Sequence, residues 1–360
     1  MSSDGNRILG FDFARALAVL GMVIVNFKVV MSAEHAGPAW LVWLAGLLDG
    51  RAAATFVILA GVGVSLLSQR GRLAGDRRRL GTDRLKLIKR SAFLFVVGLL
   101  YSPIWPADIL HFYALYLLIG AALLSATGRQ LWGSAAVLVA VFLVLLFVFD
   151  YERGWKWETL DYVDFWTPAG MIRHLFFNGF HPVFPWAAFL VAGMWLGRQD
   201  LRGTQRRQRI LWVSAVVVVV AECASALLLW TVSDLAGTDG EDMRSLLGTA
   251  PMPPMPLYLF SAGGVAFGLI MLCIMITEGY RGSRWVGWLV ATGQLALTLY
   301  VAHVVIGMGL LETLGRLEKQ TLGFAVVAAL VFYVIGTAFS VLWTRRFQRG
   351  PLEWLMRRLT

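Results

Sequence analysis

The sequence predicts an all-α integral membrane protein, a polytopic bundle of about ten transmembrane helices. Of its 360 residues, 58% are hydrophobic and only 15% are charged, and the mean hydropathy is +0.68. This composition excludes a soluble globular domain. The apolar residues are collected in runs long enough to cross a bilayer. The basic residues are collected in loops that fall on one side of the membrane, as the positive-inside rule requires.

The predicted spans are the apolar runs of bilayer-crossing length. They are 10–32, 39–68, 89–102, 108–126, 131–149, 182–197, 210–232, 256–278, 286–311 and 321–343. Two regions are expected to be irregular: 39–68 and 166–197 each either cross directly or begin as an interfacial helix before a shorter crossing. The first run is too long for a signal peptide and lacks an A-x-A-like site, so it is expected to be retained. The proline-rich segment 251–256 predicts a loop.

The charged residues between the runs predict the orientation. Residues 69–90 hold nine basic side chains against Asp76 and Asp83 only, so this loop is expected to be cytoplasmic. The other basic segments, on the same side, are 198–209, 281–284 and 345–358, and the opposite loops 150–166 and 233–255 are acidic. Both termini are therefore predicted to be cytoplasmic. We divide the chain into a transmembrane bundle at 1–343 and a cytoplasmic basic amphipathic tail at 344–360.

Composition also disfavours several classes of function. The net charge of +10 is compatible with nucleic-acid binding, but the positive-inside rule explains where the basic residues lie, so no nucleic-acid partner is expected. Cys223 and Cys273 each lie inside an apolar run and are expected to be small core residues. No two histidines are spaced i, i+4, and no G-x-x-x-x-G-K, H-E-x-x-H, G-x-S-x-G or C-x-x-C motif occurs. No metal site is therefore expected.

Polar side chains near the predicted outer ends of the spans are the candidate functional residues. Asn26 interrupts an apolar run, and an amide without partners in hydrocarbon costs about 2–7 kcal/mol. Asn26 is therefore expected to face protein or a wet cavity. All five histidines are predicted to lie on the outer side of the membrane or in the outer half of a span. They are His35, His111, His174, His181 and His303. His303 lies inside a span, where an ionisable residue is functional by default.

The other histidines each have a structural alternative. His111 and His181 lie beside prolines at span ends, where an amphipathic ring also suits the membrane interface. His35 and His174 lie near loops, where a histidine is commonly a solvated surface group. For His174 the surface alternative is preferred, whereas His35 stays a candidate for function.

Two charged pairs are also open to two interpretations. Asp49 and Arg51, at the start of a crossing, either cap a helix or line the mouth of a site. Asp12 and Arg15 are three residues apart on one helix face, which predicts an ion pair that anchors the inner end of the first span.

Six segments together resemble a known family. The opening FDFARALAVLGMVIVNF is similar to the first span of the YeiB-like bacterial membrane proteins and of their relatives, the lysosomal heparan-alpha-glucosaminide N-acetyltransferases. The further segments, in the same order, are DGRAAATFVILAGVGVSLL, DILHFYALYLLIG, HPVFPWAAFLVAGMWLGR, GQLALTLYVAH and RFQRGPLEWLMRRLT. The resemblance runs along most of the chain, and Ala16 stands where the family usually has Gly.

The resemblance implies acetyl transfer. The acetyltransferases move an acetyl group from cytoplasmic acetyl-CoA to a sugar amine on the far side of the membrane, with an Asn at the outer end of the first span and a His in the loop after it. Asn26 matches that Asn, and His35 matches that His at a slightly shorter spacing. The Y-x-x-H of Tyr300 and His303 also resembles theirs, whereas YeiB-like members often have Gln at this histidine position.

This chemistry gives each candidate a role. A neutral His35 would take the proton from an acceptor hydroxyl or amine as it attacks a thioester, while the Asn26 amide stabilises the oxyanion. The predicted site residues are His35, Asn26 and His303 for catalysis, and His111, His181, Trp186, Tyr300, Asp49 and Arg51 for substrate binding. The basic residues from Arg70 to Arg90 offer a docking surface for the CoA phosphates, with no single residue singled out.

The predicted function is therefore an integral-membrane acyltransferase of the bacterial inner membrane. Acetyl-CoA or another acyl-CoA is the expected cosubstrate, an envelope glycan or lipid is the expected acceptor, and membrane lipids surround the chain, while a homodimer is left open. The alternative is a transporter or flippase in which the same polar residues bind a substrate, although no internal repeat is evident. The third interpretation is a structural or sensory membrane protein whose polar residues only pack helices together.

Overall fold

The computed structural model of the chain describes residues 7–232 and 238–360, and the side chains of all of these except 238–242. The described chain is mostly helical. The helices are α1 (Gly10–Val30), α2 (Ala39–Gly46), α3 (Arg51–Leu73), α4 (Arg77–Tyr101), α5 (Leu110–Ala122), α6 (Gly128–Val148), α7 (Pro168–Arg173), α8 (Val183–Leu196), α9 (Thr204–Thr231), α10 (Thr238–Leu247), α11 (Pro256–Gly279), α12 (Arg284–Gln294), α13 (Ala296–Ala302), α14 (Gly309–Thr313), α15 (Leu322–Thr344) and α16 (Pro351–Leu359). Two π-helical turns, His174–Asn178 and His303–Met308, follow α7 and α13. Strands β1 (Trp155–Lys156) and β2 (Asp161–Tyr162) pair antiparallel.

The helices confirm a membrane protein. Within the described ranges, seven helical segments are long and apolar enough to cross a membrane, and the bent pair of α7 and α8 would make eight. Of the other two predicted spans, 108–126 contains α5, which has only 13 residues, and 89–102 is the end of α4, whose first half is basic. The count of ten, the orientation of the termini and the division at 343 stay predictions.

Both regions expected to be irregular are broken helices. The segment 39–68 contains α2 and α3, which are separated at the Leu47–Gly50 turn. The segment 166–197 contains α7 with its π-helical turn and then α8, bent by 49°. The proline-rich segment at 251–256 is a loop up to Pro256, the first residue of α11, as predicted.

The prediction of a loop at 69–90 is wrong. Helix α3 continues to Leu73, and α4 begins at Arg77 after a turn in which Gly75 has φ +63°. The Asp76 side chain caps α4 by accepting a hydrogen bond from the Arg79 N–H at 3.1 Å. Arg and Leu are good helix formers, and a capping carboxylate supplies the start signal, so this basic segment is helical with one short break.

The contacts divide the chain into two units. Unit 1 contains the described residues of Met1–Phe56, Arg202–Val216 and Ala262–Arg358. Unit 2 contains those of Val57–Leu201, Val217–Ser261 and Leu359–Thr360. Each unit is thus assembled from stretches that are distant in sequence.

Unit 1 is built around α1. Backbones approach closely at glycines: a Cβ added to Gly293 in α12 would lie 1.7 Å from the Asp12 carbonyl oxygen, and one added to Gly10 would lie 2.5 Å from Ile274 Cα. Small residues permit such approach between apolar helices. At the start of α1, Asp12 is 2% exposed and binds Arg7 and Arg15 at 2.6 Å each, which confirms the predicted ion pair.

The C-terminal helix of unit 1 caps a broken span. Helix α12 ends at Gln294, and α13 begins two residues later, so its first N–H groups lack helical partners. The Glu353 carboxylate of α16 accepts from the N–H groups of Leu297 and Thr298 at 2.8 and 3.1 Å, and from the Thr298 hydroxyl at 2.6 Å. The tail therefore fixes the start of the helix that leads to His303.

We expect Glu353→Ala to lower the thermal stability of the detergent-solubilised protein. The change removes the acceptor for three donors, which costs about 1–3 kcal/mol, so the melting temperature should fall clearly in a thiol-reactive dye assay. Glu318→Ala, at an exposed carboxylate of a loop in unit 1, is the matched control and should leave the melting temperature unchanged. Equal melting curves for the two variants would contradict the capping role.

In unit 2, α3 and α8 cross at close range. A Cβ on Gly61 would lie 1.9 Å from the Leu190 carbonyl oxygen, and one on Gly193 would lie 2.0 Å from the Ile58 carbonyl oxygen. The Ser65 hydroxyl donates to the Met194 carbonyl at 2.6 Å. The two backbones are therefore in direct contact, which fixes α8 and the polar segment that precedes it.

Candidate functional site

Asn26, the amide inside the first span, is hydrogen-bonded to a histidine 277 residues away. Its Nδ2 atom lies 2.9 Å from Nε2 of His303, and the His303 side chain is completely buried. The His303 Nδ1 atom faces the carbonyl of Tyr300, which can only accept, so Nδ1 carries the proton. In the neutral ring Nε2 is then the acceptor, and it takes one of the two amide N–H groups of Asn26. The chain of three groups thus fixes the orientation of the Asn26 amide.

Aromatic rings surround this pair. Phe27 stacks on His303 at 6.4 Å between ring centroids, and Tyr300 and Phe332 lie at 5.1 and 6.5 Å. A neutral imidazole suits such surroundings, because a buried charge without a partner is costly. Tyr300, predicted to bind substrate, lies here and also holds His303 through its carbonyl oxygen.

Asp49 and Arg51 lie in the same unit. The Asp49 carboxylate binds Lys28 Nζ through both oxygens, at 2.6 and 2.7 Å, and the side chains are 5% and 33% exposed for Lys28 and Asp49. Gly50 has φ +66° and makes the turn into α3, which begins at Arg51. Asp49 therefore forms an ion pair that ties the end of α1 to the start of α3. The sequence predicts a helix cap or the mouth of a site for Asp49, and it does not predict this ion pair.

His35 lies in the loop after α1, and its side chain is exposed. This loop is attached to the segment before α15 by backbone hydrogen bonds from Gln320 N–H to Met31 and from Leu322 N–H to Ala36, at 3.3 and 2.9 Å. The structure thus brings Asn26 together with His303, while the role of His35 as general base stays a prediction.

The other histidines are in unit 2, where His111 forms a buried dyad with Asp108. Oδ2 of Asp108 lies 3.1 Å from His111 Nδ1 and also accepts from the N–H groups of Leu110 and His111 at 2.9 and 3.3 Å. Both side chains are completely buried. Since Nδ1 donates to the carboxylate, Nε2 is the acceptor atom, and within the described residues it has no hydrogen-bond partner. Sequence reasoning missed Asp108, although its i, i+3 spacing from His111 was a usable signal.

His174 lies against this dyad, and its expected place on the surface is wrong. The side chain is 2% exposed, and its ring stacks on His111 at 5.7 Å. The reason is the preceding acidic loop, which folds over it: Tyr162 and Phe165 contact the His174 ring at 4.7 and 4.9 Å between centroids. His174 therefore belongs to a buried cluster with Asp108 and His111.

The acidic loop is held by Asn178, which sequence reasoning also missed. Asn178 is completely buried. Its carbonyl accepts from the Trp155 indole N–H, and its amide oxygen accepts from the Tyr162 hydroxyl, both at 2.7 Å. Burial raises the pKa of the Tyr162 hydroxyl, which keeps it protonated as the donor. Arg173 closes the loop by binding Asp164 at 2.6 Å.

His181 and Trp186 complete the cluster of unit 2. Their rings lie 4.6 Å apart, and Trp186 is completely buried against Phe189 and Tyr258. The His181 carbonyl accepts from the Tyr116 hydroxyl. The predicted substrate-binding residues thus fall into two sets, one in each unit. Within 7–232 and 238–360, no group of three or more His, Cys, Asp or Glu side chains is placed to hold a metal ion.

Comparison with known proteins identifies the family. Residues 7–233 match the family described as "Heparan-alpha-glucosaminide N-acetyltransferase, catalytic", and residues 196–360 match the family described as "Protein of unknown function (DUF418)". The chain is also 25% identical over 401 residues to the protein of Escherichia coli (strain K12) described as "Uncharacterized protein YeiB", in an alignment that covers 98% of this chain and 96% of that relative. The first match covers well over half of the chain and includes Asn26 and His35. The chain therefore belongs to the heparan-alpha-glucosaminide N-acetyltransferase catalytic family, as a YeiB-like member.

Proposed function

We propose that the chain is an acyltransferase of the bacterial inner membrane that moves an acetyl or other acyl group from cytoplasmic acyl-CoA to an envelope glycan or lipid on the outer side. The observation that carries the proposal is the hydrogen bond between Asn26 and His303, in a chain that belongs to an acetyltransferase family. The proposed topology has about ten spans with both termini in the cytoplasm.

The proposed role of Asn26 is to stabilise the oxyanion. A primary amide has two N–H donors, and one of them is held by Nε2 of His303. The other is the donor that would bind the carbonyl oxygen of the thioester as negative charge develops on it. His303 is a positioning residue in this scheme, because it acts through the amide of Asn26 and is itself fixed by the Tyr300 carbonyl.

The proposed general base is His35. Its exposed ring takes the proton from the hydroxyl or amine of the acceptor as that group bonds to the thioester carbon. The carbon–sulfur bond then breaks, and the leaving CoA thiolate takes the proton from the imidazolium. Asp49, Arg51 and Tyr300 are proposed to bind substrate in unit 1, and His111, His181 and Trp186 are proposed to do so in unit 2.

The test is transfer of label from radiolabelled acetyl-CoA to a total envelope extract by the reconstituted protein. His35→Ala is expected to lower the transfer rate by about 10²- to 10⁴-fold, the usual contribution of general base catalysis. Glu34→Ala, in the same turn, is the matched control and should retain the wild-type rate, and melting curves check that both variants fold.

Transfer that persists in His35→Ala would remove His35 from the mechanism but keep the enzyme. Absence of both transfer and acyl-CoA hydrolysis by the wild-type protein, with several acyl-CoAs, would overturn the proposed function.

A further inference from the structure

A cavity lies in unit 2 away from the histidine cluster. It has a volume of about 360 Å³ and is formed where α3 ends, α6 begins and α8 ends. The residues that line it are Arg72, Ser125, Ala126, Thr127, Gly128, Trp195, Arg198 and Gln199. The volume is within the range of small-molecule sites, roughly 300–1,000 Å³.

Two guanidinium groups give this cavity its charge. Arg198 donates to the carbonyls of Ala126, Leu124 and Leu123, in the turn that follows α5, so its position is fixed by the backbone. Burial, and then the nearby charge of Arg72, lower the pKa of Arg198 to about 10. A guanidinium is charged at neutral pH, so the two side chains face one cavity with the same sign.

The described part of the chain supplies no carboxylate for these two charges. Neither Arg72 nor Arg198 forms a salt bridge there, and the Nε–H of each is buried without an acceptor. Two like charges with unsatisfied donors are unfavourable by themselves. A multiply charged anion would neutralise both charges and provide the acceptors.

The rest of the lining fits the same kind of ligand. Helix α6 has 21 residues and begins at Gly128, so the positive end of its dipole faces the cavity. The Trp195 side chain forms an apolar wall beside Gly128. Arginine pairs of this kind bind phosphate oxygens through parallel N–H groups.

We propose that this cavity binds a phosphate group between Arg72 and Arg198. The phosphate belongs either to the nucleotide part of an acyl-CoA or to the headgroup of an anionic phospholipid. The first source rests on the proposed function, and the second source is independent of it. Arg72 is one of the basic residues from Arg70 to Arg90 that were predicted to dock the CoA phosphates. The cavity identifies it as the member of that set that binds phosphate.

The test compares ligand binding to three proteins, the wild type, Arg72→Gln and the matched control Arg129→Gln. Arg129 is an exposed arginine next to the cavity. The probes are CoA, pyrophosphate and pantetheine by calorimetry in nanodiscs, and phosphatidylglycerol against phosphatidylcholine by native mass spectrometry. Arg72→Gln should weaken the CoA and pyrophosphate affinities at least about 10-fold and leave pantetheine binding unchanged. It should also raise the melting temperature of the unliganded protein, because one of the two like charges is removed. Arg129→Gln should match the wild type.

Loss of phosphatidylglycerol binding in Arg72→Gln, with CoA binding intact, would support the site with the lipid as the source. Unchanged affinity of Arg72→Gln for CoA, pyrophosphate and phosphatidylglycerol would overturn the site. CoA binding that depends on Arg72, in a protein that neither transfers label nor hydrolyses any of several acyl-CoAs, would support the site and refute the proposed function.

Discussion

Asn26→Ala should lower the rate of acetyl transfer by about 10²- to 10³-fold, which is the usual effect of removing one oxyanion donor. The fold should survive, since the lost side chain is a half-buried amide at the end of α1, although His303 Nε2 then loses its donor at a cost of about 1–3 kcal/mol. Label transfer from radiolabelled acetyl-CoA at saturating substrate measures the effect, because the loss should fall on kcat.

Variants of His303 separate positioning from packing. His303→Ala should reproduce most of the loss, whereas His303→Gln should restore part of the rate, because the Gln carbonyl can accept from the Asn26 amide in place of Nε2. Equal rates for His303→Ala and His303→Gln, or a wild-type rate for Asn26→Ala, would remove the amide from the mechanism.

The largest expected effect on stability comes from Gly61→Ala and Gly193→Ala. Each new Cβ would lie within 2.0 Å of a backbone carbonyl oxygen across the α3–α8 crossing, so the two helices must separate. Overpacking commonly costs about 1–3 kcal/mol, and a clash between two backbones should exceed that range. We expect both variants to lose the monodisperse peak in fluorescence-detected gel filtration, or to melt far below the wild type.

Gly133→Ala is the matched control for this pair. Gly133 is exposed in α6, and a Cβ there meets nothing within 4 Å. Alanine in place of a helical glycine should be neutral or stabilise the protein by up to about 1 kcal/mol. A melting temperature of Gly61→Ala equal to that of Gly133→Ala would show that the crossing is looser than the structure has it.

The helices of this fold are predictable because each signal is local. Apolar runs predicted the long helices, and 39–68 and 166–197 were expected to be irregular because each could begin as an interfacial helix before a shorter crossing. The basic segment 69–90 was misread as a loop, because the topology rule concerns charge and is silent on secondary structure. Its Arg and Leu residues and the cap at Asp76 favoured a helix.

The site was less predictable because its contacts are distant in sequence. Asn26 was expected to face protein or a wet cavity, and it does face protein, but nothing local could indicate that the residue it contacts is His303. His174 was expected at the surface because it lies near a loop, and the packing of Tyr162 and Phe165 against its ring reverses that expectation. Asp108 was within reach of sequence reasoning, since an acid three residues before a histidine on a helix start is a local pattern.

The cap that Glu353 places on α13 has a consequence for biosynthesis. Ribosomes make the chain from the N-terminus, so α1 with Asn26 and the span with His303 enter the membrane before Glu353 has been made. The N–H groups that Glu353 binds lack this acceptor until α16 has been made. The span that carries His303 therefore reaches its final geometry only after α16 has been made, and a nascent chain released before that point would hold Asn26 without a firmly placed partner.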